Sequence, residues 1–474
     1  MDLEIDNKFK EECGVFGGID FDNKLNCSKL TYFGLYALQH RGQESCGIAV
    51  YLKDRIKCHK DVGTVNQVFN EEILDGLKGS LAIGHVRYAT NGQNSNINAQ
   101  PFIISNGKEK IAIAHNGHLL NAKDLKSKLA KYKLNSTVDS EILGYMILNE
   151  LEKNVSIENS IISLMDDIKG AYSLVIIVKD KLIGVRDPLG MRPLCIGKLN
   201  NSYFIASESC ALDAIGAEFV RDIEPGEVVT IDKYGIKSEK KQIEEQKKLC
   251  IFEFMYFARE DSKIDGISVY KARENIGKEL AKSFKIDADL VVGVPDSGIP
   301  ASIAYAKESG IPYGQGFVKN KYVGRTFIKS TQSERVMAVK IKLNPIQENI
   351  NGKRIILIDD SLVRGTTLKG IVKLLKASGA KEVHVVIAAP PIKFSCFYGV
   401  ATSNRKELIA SSKSIEEIRK YISADSLDFM SVESLLRAVG KQNNSYGFCT
   451  ACFNGEYPYV EDEEVQLTKK AINF

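Results

Sequence analysis
Two adjacent carboxylates, Asp359 and Asp360, end the apolar run Ile355-Ile356-Leu357-Ile358 and lead into Ser361, Val363, Arg364, Gly365, Thr366 and Thr367. Hydroxyl residues and a glycine at a helix start can wrap a phosphate with backbone N–H groups. The aspartates would repel that phosphate; they suit a ribose diol, or a Mg²⁺ carried by a polyphosphate. Helix capping alone would explain one such residue, not the whole polar run. A second reactive group lies far upstream. Cys13 sits in Glu11-Glu12-Cys13-Gly14-Val15-Phe16-Gly17. Three polar clusters follow it: Gln39-His40-Arg41-Gly42-Gln43-Glu44-Ser45, Gly84-His85-Val86-Arg87-Tyr88-Ala89-Thr90 and Ala114-His115-Asn116-Gly117-His118. A lone cysteine is usually a small core hydrophobe. Arg, His and Asn-Gly at strand ends, however, read as a ligand site. A third group is Cys449-Thr450-Ala451-Cys452, where spacing alone puts zinc or a redox pair ahead of an iron–sulfur cluster.

Periodicity gives the elements that must hold these residues. Ile355–Ile358 reads as a buried parallel strand. Leu368, Ile371, Val372, Leu374 and Leu375 form the apolar face of a following helix, Gly379 suits its end, and Glu382–Ile387 reads as the next strand. Such a βαβ unit leaves its polar residues in the crevice beyond the carboxyl end of the strand, where open sheets bind ligands. Val291-Val292-Gly293-Val294-Pro295-Asp296-Ser297-Gly298 is a second strand and turn. Its glycine spacing is that of a nucleotide loop, but Ile299-Pro300 stands where a lysine is needed. Alone it reads as a plain βα turn. The basic, aperiodic stretch from Gly316 to Lys342 is either a solvated loop or a lid that closes over an anion. Alternation from Leu290 to Ile387 predicts a doubly wound parallel sheet. Upstream, strands are expected at Leu81–Gly84, Ile111–Ala114, Tyr172–Val178 and Tyr203–Ala206, with helices near Ser28–Gln39, Asp139–Glu152 and Ile157–Met165. The charged stretch Glu239–Lys248 marks a linker between the halves.

A chain of 474 residues has room for two to three domains. A hydrophobic fraction of 44% and a charged fraction of 26% are those of an ordinary globular protein. The net charge of +4, with both signs interspersed, gives no support to a nucleic-acid or membrane role. Met1–Glu12 is polar and acidic, unlike a signal peptide, and there is no apolar run of membrane-spanning length, so a cytoplasmic location is expected. In that compartment ten cysteines argue for chemistry or metal and against disulfides.

The segments from Cys13 to about Val229, in this order, resemble the class II glutamine amidotransferases, which are N-terminal-nucleophile hydrolases. The resemblance implies an αββα domain over residues 13–240 and a propeptide, Met1–Glu12, whose removal makes Cys13 the N-terminus. Its α-amino group, with an ordinary pKa of about 7.7–8.0, would take the thiol proton. Asn116 and Gly117 would be oxyanion donors. Arg87 would pair with the substrate α-carboxylate and Asp139 with its α-ammonium, and Arg41 and His85 complete the implied glutamine site. Asp139 also suits a helix start. Val86 stands where the family often has Thr.

Asp359–Thr367 resembles the phosphoribosyl-pyrophosphate (PRPP) motif of type I phosphoribosyltransferases. There the acidic pair holds the ribose hydroxyls and Ser361, Val363, Arg364, Gly365, Thr366 and Thr367 surround the 5′-phosphate. The turn with Asp296 and Ser297 resembles the pyrophosphate loop of that family, and Ser297, Asp359 and Asp360 would border one Mg²⁺ per subunit. Lys319 and Arg325 would be cations of the lid. Cys250, Cys396, Cys449 and Cys452, with their Phe-rich flanks, resemble the ligands of one 4Fe-4S cluster per subunit in the cluster-bearing amidophosphoribosyltransferases. Glu260, Ser395 and Ala401 depart from that pattern without removing a ligand. Tyr256 resembles the residue that couples the two sites. Residues 241–462 would form the transferase domain with its cluster-bearing region, and 463–474 a tail. Joined, the halves imply synthesis of 5-phosphoribosylamine from glutamine, PRPP and water, the first step of purine biosynthesis. Purine nucleotide inhibitors and a dimer or tetramer are implied too. A sugar-phosphate amidotransferase would have no use for Asp359-Asp360, and a PRPP-sensing regulator none for Cys13, Asn116 and Arg87. Cys27, Cys46, Cys58, Cys195 and Cys210 read as structural.

Overall fold
The structure, a computed structural model, describes residues 13–88, 95–153, 156–242, 247–320, 343–400, 405–440 and 447–459. The expected propeptide, Arg325 and most of the expected lid, and the tail lie outside the described residues. The first half contains β1 (Gly14–Asp20), β2 (Ser45–Leu52), β3 (Arg55–Val62), β4 (Leu81–Arg87), β5 (Phe102–Ser105) and β6 (Lys110–Leu119). It continues with β7 (Gly170–Val178), β8 (Lys181–Arg186), β9 (Cys195–Leu199), β10 (Ser202–Ala206), β11 (Glu218–Asp222), β12 (Glu227–Asp232) and β13 (Gly235–Lys240). These form two antiparallel sheets, in the orders β11-β9-β10-β1-β4-β2-β3 and β13-β12-β8-β7-β6-β5.

Alternation along each strand builds four layers. Val15 and Ile19 of β1 meet Ala112, Ala114, Val175 and Ile177 of the other sheet in a shared core. Phe16, one residue on, turns to the opposite face, against Leu35 of the helix Cys27–Ala37. On the far side Ile111 and Ile113 pack under Leu143 and Ile147 of the helix Asp139–Leu151. Each fully buried aliphatic side chain contributes about 1.5–3 kcal/mol. Because both faces of each sheet are covered, the central strands are apolar throughout and their run length is what the sequence displays. The charged stretch expected to be a linker begins inside β13, where Glu239 pairs with Val228 and Lys240 with Glu227. Exposed charges suit an edge strand, since they oppose pairing with another chain.

The second half contains β14 (Leu249–Cys250), the hairpin β15 (Lys263–Ile264) and β16 (Ile267–Ser268), β17 (Leu290–Gly293), β18 (Phe317–Lys319) and β19 (Leu343–Pro345). Then come β20 (Arg354–Asp359), β21 (Glu382–Ile387), β22 (Ser426–Phe429) and β23 (Phe448–Cys449). Strands β17-β20-β21-β22 form a parallel sheet in chain order. Its core includes Val291, Ile356, Val385, Leu368 and Val372. Flanking the expected lid in sequence, β18 and β19 pair antiparallel, with Lys319 opposite Leu343.

The halves meet through buried polar groups. Arg186 forms a two-pronged pair with Asp265 at the β15–β16 turn, at 2.7 and 3.0 Å. Arg192 Nη2 donates to the Tyr398 carbonyl. The Lys248 amide donates to Leu189 O at 2.7 Å and the Cys250 amide to Met191 O at 3.2 Å. Removing one member of a buried pair such as Arg186–Asp265 costs about 3–5 kcal/mol, because the other charge stays buried.

Candidate active sites
Cys13 stands just before β1, and its Sγ lies 3.7 Å from the Tyr88 carbonyl. In the β1–β4 register Gly14 is opposite Val86, so Cys13 and Arg87 share one end of the sheet. Arg87 is buried there. Asn116 and Gly117 lie on β6 of the facing sheet. Asn116 Nδ2 is buried and has no hydrogen-bond partner among the described residues. A buried N–H without an acceptor costs about 1–3 kcal/mol, so such a donor calls for an acceptor from outside the fold. Gly117 has φ +145°, and a Cβ there would lie 1.9 Å from the Ala171 carbonyl, so only glycine fits.

His85 underlies this strand. Its Nε2 donates to the His115 carbonyl at 3.0 Å. Gln100 holds the same residue from the other side, accepting from the His115 amide at 2.8 Å. Burial pushes the His85 pKa down to about 3, so the ring is neutral with its proton on Nε2. It is a strut between the sheets. Asp139 begins its helix, with Val138 as the cap residue. Its Oδ2 accepts from the Leu119 amide at 2.9 Å and lies 3.2 Å from His118 Nδ1. Burial opposes its charge, but the His118 hydrogen bond, the neighbouring imidazoles and the Leu119 amide together hold its pKa below the usual value.

Arg41, expected at the glutamine site, has its guanidinium wholly buried behind Cys13. Nε donates to the Cys13 carbonyl at 3.1 Å, Nη1 to Glu208 at 2.6 Å and Nη2 to Glu253 at 2.7 Å. Glu208 also takes the Ser262 hydroxyl at 2.6 Å and the Arg259 amide at 2.9 Å. Burial opposes its charge, but His40 and Arg41 more than offset it and push its pKa far down. Sequence reading missed Glu208 and Glu253. The available signal was a lone acid in the apolar run Ile251-Phe252-Glu253-Phe254-Met255, which must find a buried partner.

In the second half Asp359 ends β20, Asp360 follows it, and both are buried. Asp360 accepts from Ser361 Oγ at 2.6 Å and from Ser297 Oγ, which joins the two turns expected to hold pyrophosphate and ribose. Asp296 is exposed and paired with Lys319. Arg364 pairs with Glu407. Val363 is half-buried beside this loop. Gly365, at φ +73°, is the cap residue of the helix Thr366–Ala377, which has no side-chain cap. Thr367 Oγ1 is buried without a hydrogen-bond partner among the described residues. An uncapped helix start with an unsatisfied hydroxyl leaves donors that an anion could take up.

Cys250, Cys396, Cys449 and Cys452 line one cavity, walled by Phe252, Tyr398, Val400, Ala451 and Tyr457. Parallel pairing of β14 with β23 puts Cys250 opposite Cys449. Among the described residues no three of His, Cys, Asp or Glu close on a single metal ion. The four thiols surround a space instead. Burial, with neighbouring thiols adding to it, pushes Cys449 up to about 11 and Cys452 well up. The other cysteines fit structural roles: burial pushes Cys46 up to about 12 and Cys58 up to about 11.

Residues 85–214 match the glutamine amidotransferase domain family and residues 266–394 the phosphoribosyl transferase domain family. An amidophosphoribosyltransferase of Synechocystis is 47% identical, covering 98% of this chain and 94% of its own. Another, of Archaeoglobus fulgidus, is 46% identical over 96% of this chain and 100% of its own. The solved glutamine PRPP amidotransferase of Bacillus subtilis, complexed with ADP and GMP, superposes with a TM-score of 0.88 at 44% identity, covering 95% of this chain and 98% of its own. Identity of that extent across both halves makes this chain a member of the amidophosphoribosyltransferase family.

Proposed function
We propose that Cys13 and the Asp359–Thr367 loop divide the amidophosphoribosyltransferase reaction between them. Once Met1–Glu12 is removed, the Cys13 α-amine takes the thiol proton and the thiolate attacks the glutamine carboxamide carbon. Asn116 Nδ2 and the Gly117 amide meet the oxyanion that forms. Arg87 holds the α-carboxylate and Asp139 the α-ammonium. Ammonia leaves, and water then hydrolyses the thioester to glutamate and restores the thiol. In the second half the Thr366–Ala377 helix start holds the 5′-phosphate while Asp359 and Asp360 orient the ribose hydroxyls. Ammonia bonds to ribose C1 as the C1–oxygen bond to pyrophosphate breaks. Two carboxylates and Ser297 fit a Mg²⁺, which needs few protein ligands when phosphates supply the rest; it would supply positive charge to the departing pyrophosphate.

The observation that carries the glutaminase reading is the buried Asn116 donor with no acceptor among the described residues. For the four cysteines, an all-thiolate set around a cavity, not converging on one ion, supports a 4Fe-4S cluster over zinc. Its iron charge would compensate the thiolates of Cys449 and Cys452, which burial otherwise keeps protonated. By analogy with the Bacillus subtilis complex, purine nucleotides regulate this chain too; it works in the cytoplasm as a dimer or tetramer. Among the described residues no helix is long and apolar enough to cross a membrane. The test is pyrophosphate release by anaerobically purified protein given PRPP with glutamine or with ammonia. Release with neither nitrogen source refutes the reading.

A further inference from the structure
Asn116, the proposed oxyanion donor, is held through its neighbour. The peptide joining His115 to Asn116 is planar, so whatever fixes the His115 carbonyl also fixes the Asn116 Cα. Two side chains from different sheets converge on that carbonyl. Gln100 Nε2 donates to it at 3.3 Å and His85 Nε2 at 3.0 Å. Gln100 Oε1 also accepts from the His115 amide at 2.8 Å. Gln100, His85 and His115 are all buried. The chain itself explains why a side chain does this work. Pairing of β5 with β6 begins at Phe102, opposite Ile113. Pro101 precedes it and has no N–H with which to extend the ladder. The Gln100 side-chain amide offers both donor and acceptor, as a strand peptide does, and takes the place of the missing rung. Its backbone is fixed in turn. A Cβ on Gly47 would lie 2.4 Å from the Gln100 carbonyl oxygen, and Lys60 Nζ donates to the Ala99 carbonyl at 2.5 Å. His85 comes from the opposite sheet. On β4 it shares a face with Arg87, two residues on. Gln100 thus ties Asn116 to the edge of its own sheet, and His85 ties it to the sheet that Cys13 leads into.

We propose that Gln100 and His85 are positioning residues for glutamine cleavage, holding the Asn116 amide where the oxyanion forms. The inference rests on the function proposed above. An oxyanion hole accelerates a reaction because its donors are in place before the charge develops. Apolar contact between the two sheets is non-directional and does not by itself aim an amide. Directed hydrogen bonds to the His115 peptide do. A donor displaced by about 1 Å costs about a hundredfold in rate. Both side chains act on a peptide group one residue from the donor, so their effect passes through Asn116 alone.

The experiment measures steady-state glutamine hydrolysis, with PRPP present, by full-length, anaerobically purified protein. Wild type is compared with Gln100→Met, His85→Leu, His85→Gln and Asn116→Leu, and with the first two each combined with Asn116→Leu. Ammonia-driven pyrophosphate release and a thermal melt report folding. Gln100→Met and His85→Leu should each lower kcat about ten- to a hundredfold. KM should stay within about threefold, because the donor acts on charge absent from bound glutamine. His85→Gln, which keeps an N–H donor of similar reach, should recover most of the loss. On the Asn116→Leu background neither substitution should lower kcat by more than about threefold, since no donor is left to position. A folded variant of Gln100→Met or His85→Leu with kcat within about threefold of wild type overturns the inference. So does a loss that persists in full on the Asn116→Leu background, a raised KM at unchanged kcat, or no recovery in His85→Gln. Each of these outcomes leaves the proposed function standing. An unchanged kcat in Asn116→Leu itself overturns the oxyanion role, and this inference with it. His85→Leu strands no hydrogen-bonding group, since the His115 carbonyl keeps Gln100, so it decides alone if Gln100→Met does not fold.

Discussion
Asn116→Leu should separate the two activities of this chain most cleanly. The substitution nearly conserves volume and removes the buried Nδ2, which has no partner among the described residues. No structural hydrogen bond from Nδ2 is lost, and an unsatisfied donor costing about 1–3 kcal/mol is removed. The free enzyme should therefore melt no lower than wild type, and up to that amount of stability is there to be gained. The transition state for glutamine cleavage loses a donor at the developing oxyanion, worth about 2.7–4 kcal/mol. At 1.36 kcal/mol per factor of ten, kcat for glutamine should fall about a hundred- to a thousandfold. KM should move little, because the donor acts on charge absent from the ground state. Ammonia-driven pyrophosphate release should be unchanged. The assay is steady-state glutamine hydrolysis with PRPP present, paired with the ammonia reaction and a thermal melt. A kcat within about threefold of wild type would refute the oxyanion role. A large drop in melting temperature with loss of both activities would show that Asn116 is structural.

Cys13→Ala should abolish glutamine use and spare synthesis from ammonia; loss of both in a folded variant would show the halves to be chemically inseparable. Asp359→Asn and Asp360→Asn should each lower PRPP turnover with either nitrogen source, and near-wild-type rates would refute the ribose and Mg²⁺ assignment. Anaerobic protein should contain about four iron and four sulfide per chain, and one zinc without sulfide would refute the cluster but not the amidotransferase chemistry. His85, pushed down to about 3 from an ordinary 6.5, is neutral in the fold while the unfolded chain takes up its proton first. Its contribution is complete above pH 6.5 and is lost as pH falls towards 3, by about 1.4 kcal/mol per unit. His85→Leu should flatten the acid limb of a melting-temperature profile between pH 6 and 5, and an unchanged slope would refute the buried neutral ring.

What could be read in the sequence was what local geometry determines. The run Ile355–Ile358 became β20 and Glu382–Ile387 became β21, because a strand covered on both faces must be apolar along its whole length. The helices Cys27–Ala37, Asp139–Leu151 and Ile157–Leu164 came within a residue or two of their expected bounds, since one apolar stripe against a sheet fixes them. Edge strands went unread: β3 and β13 are charged and half-exposed, and their pairing partners rather than their own pattern make them strands. The PRPP-like loop was legible for the same reason as β20, its residues being contiguous. The buried charges were not. Arg41, Glu208, Glu253, Arg186 and Asp265 stand alone in their own segments; Arg41 finds Glu208 within the first half, but Glu253 meets Arg41 and Asp265 meets Arg186 only when the two halves close. An ion buried in an apolar run announces that it needs a partner without naming one. For Glu253 and Asp265 the partner comes from the other half of the chain, so the second half cannot bury these charges by itself. Folding of the halves and assembly of the seam are therefore one problem, and the buried ion pairs across it are where that problem is solved.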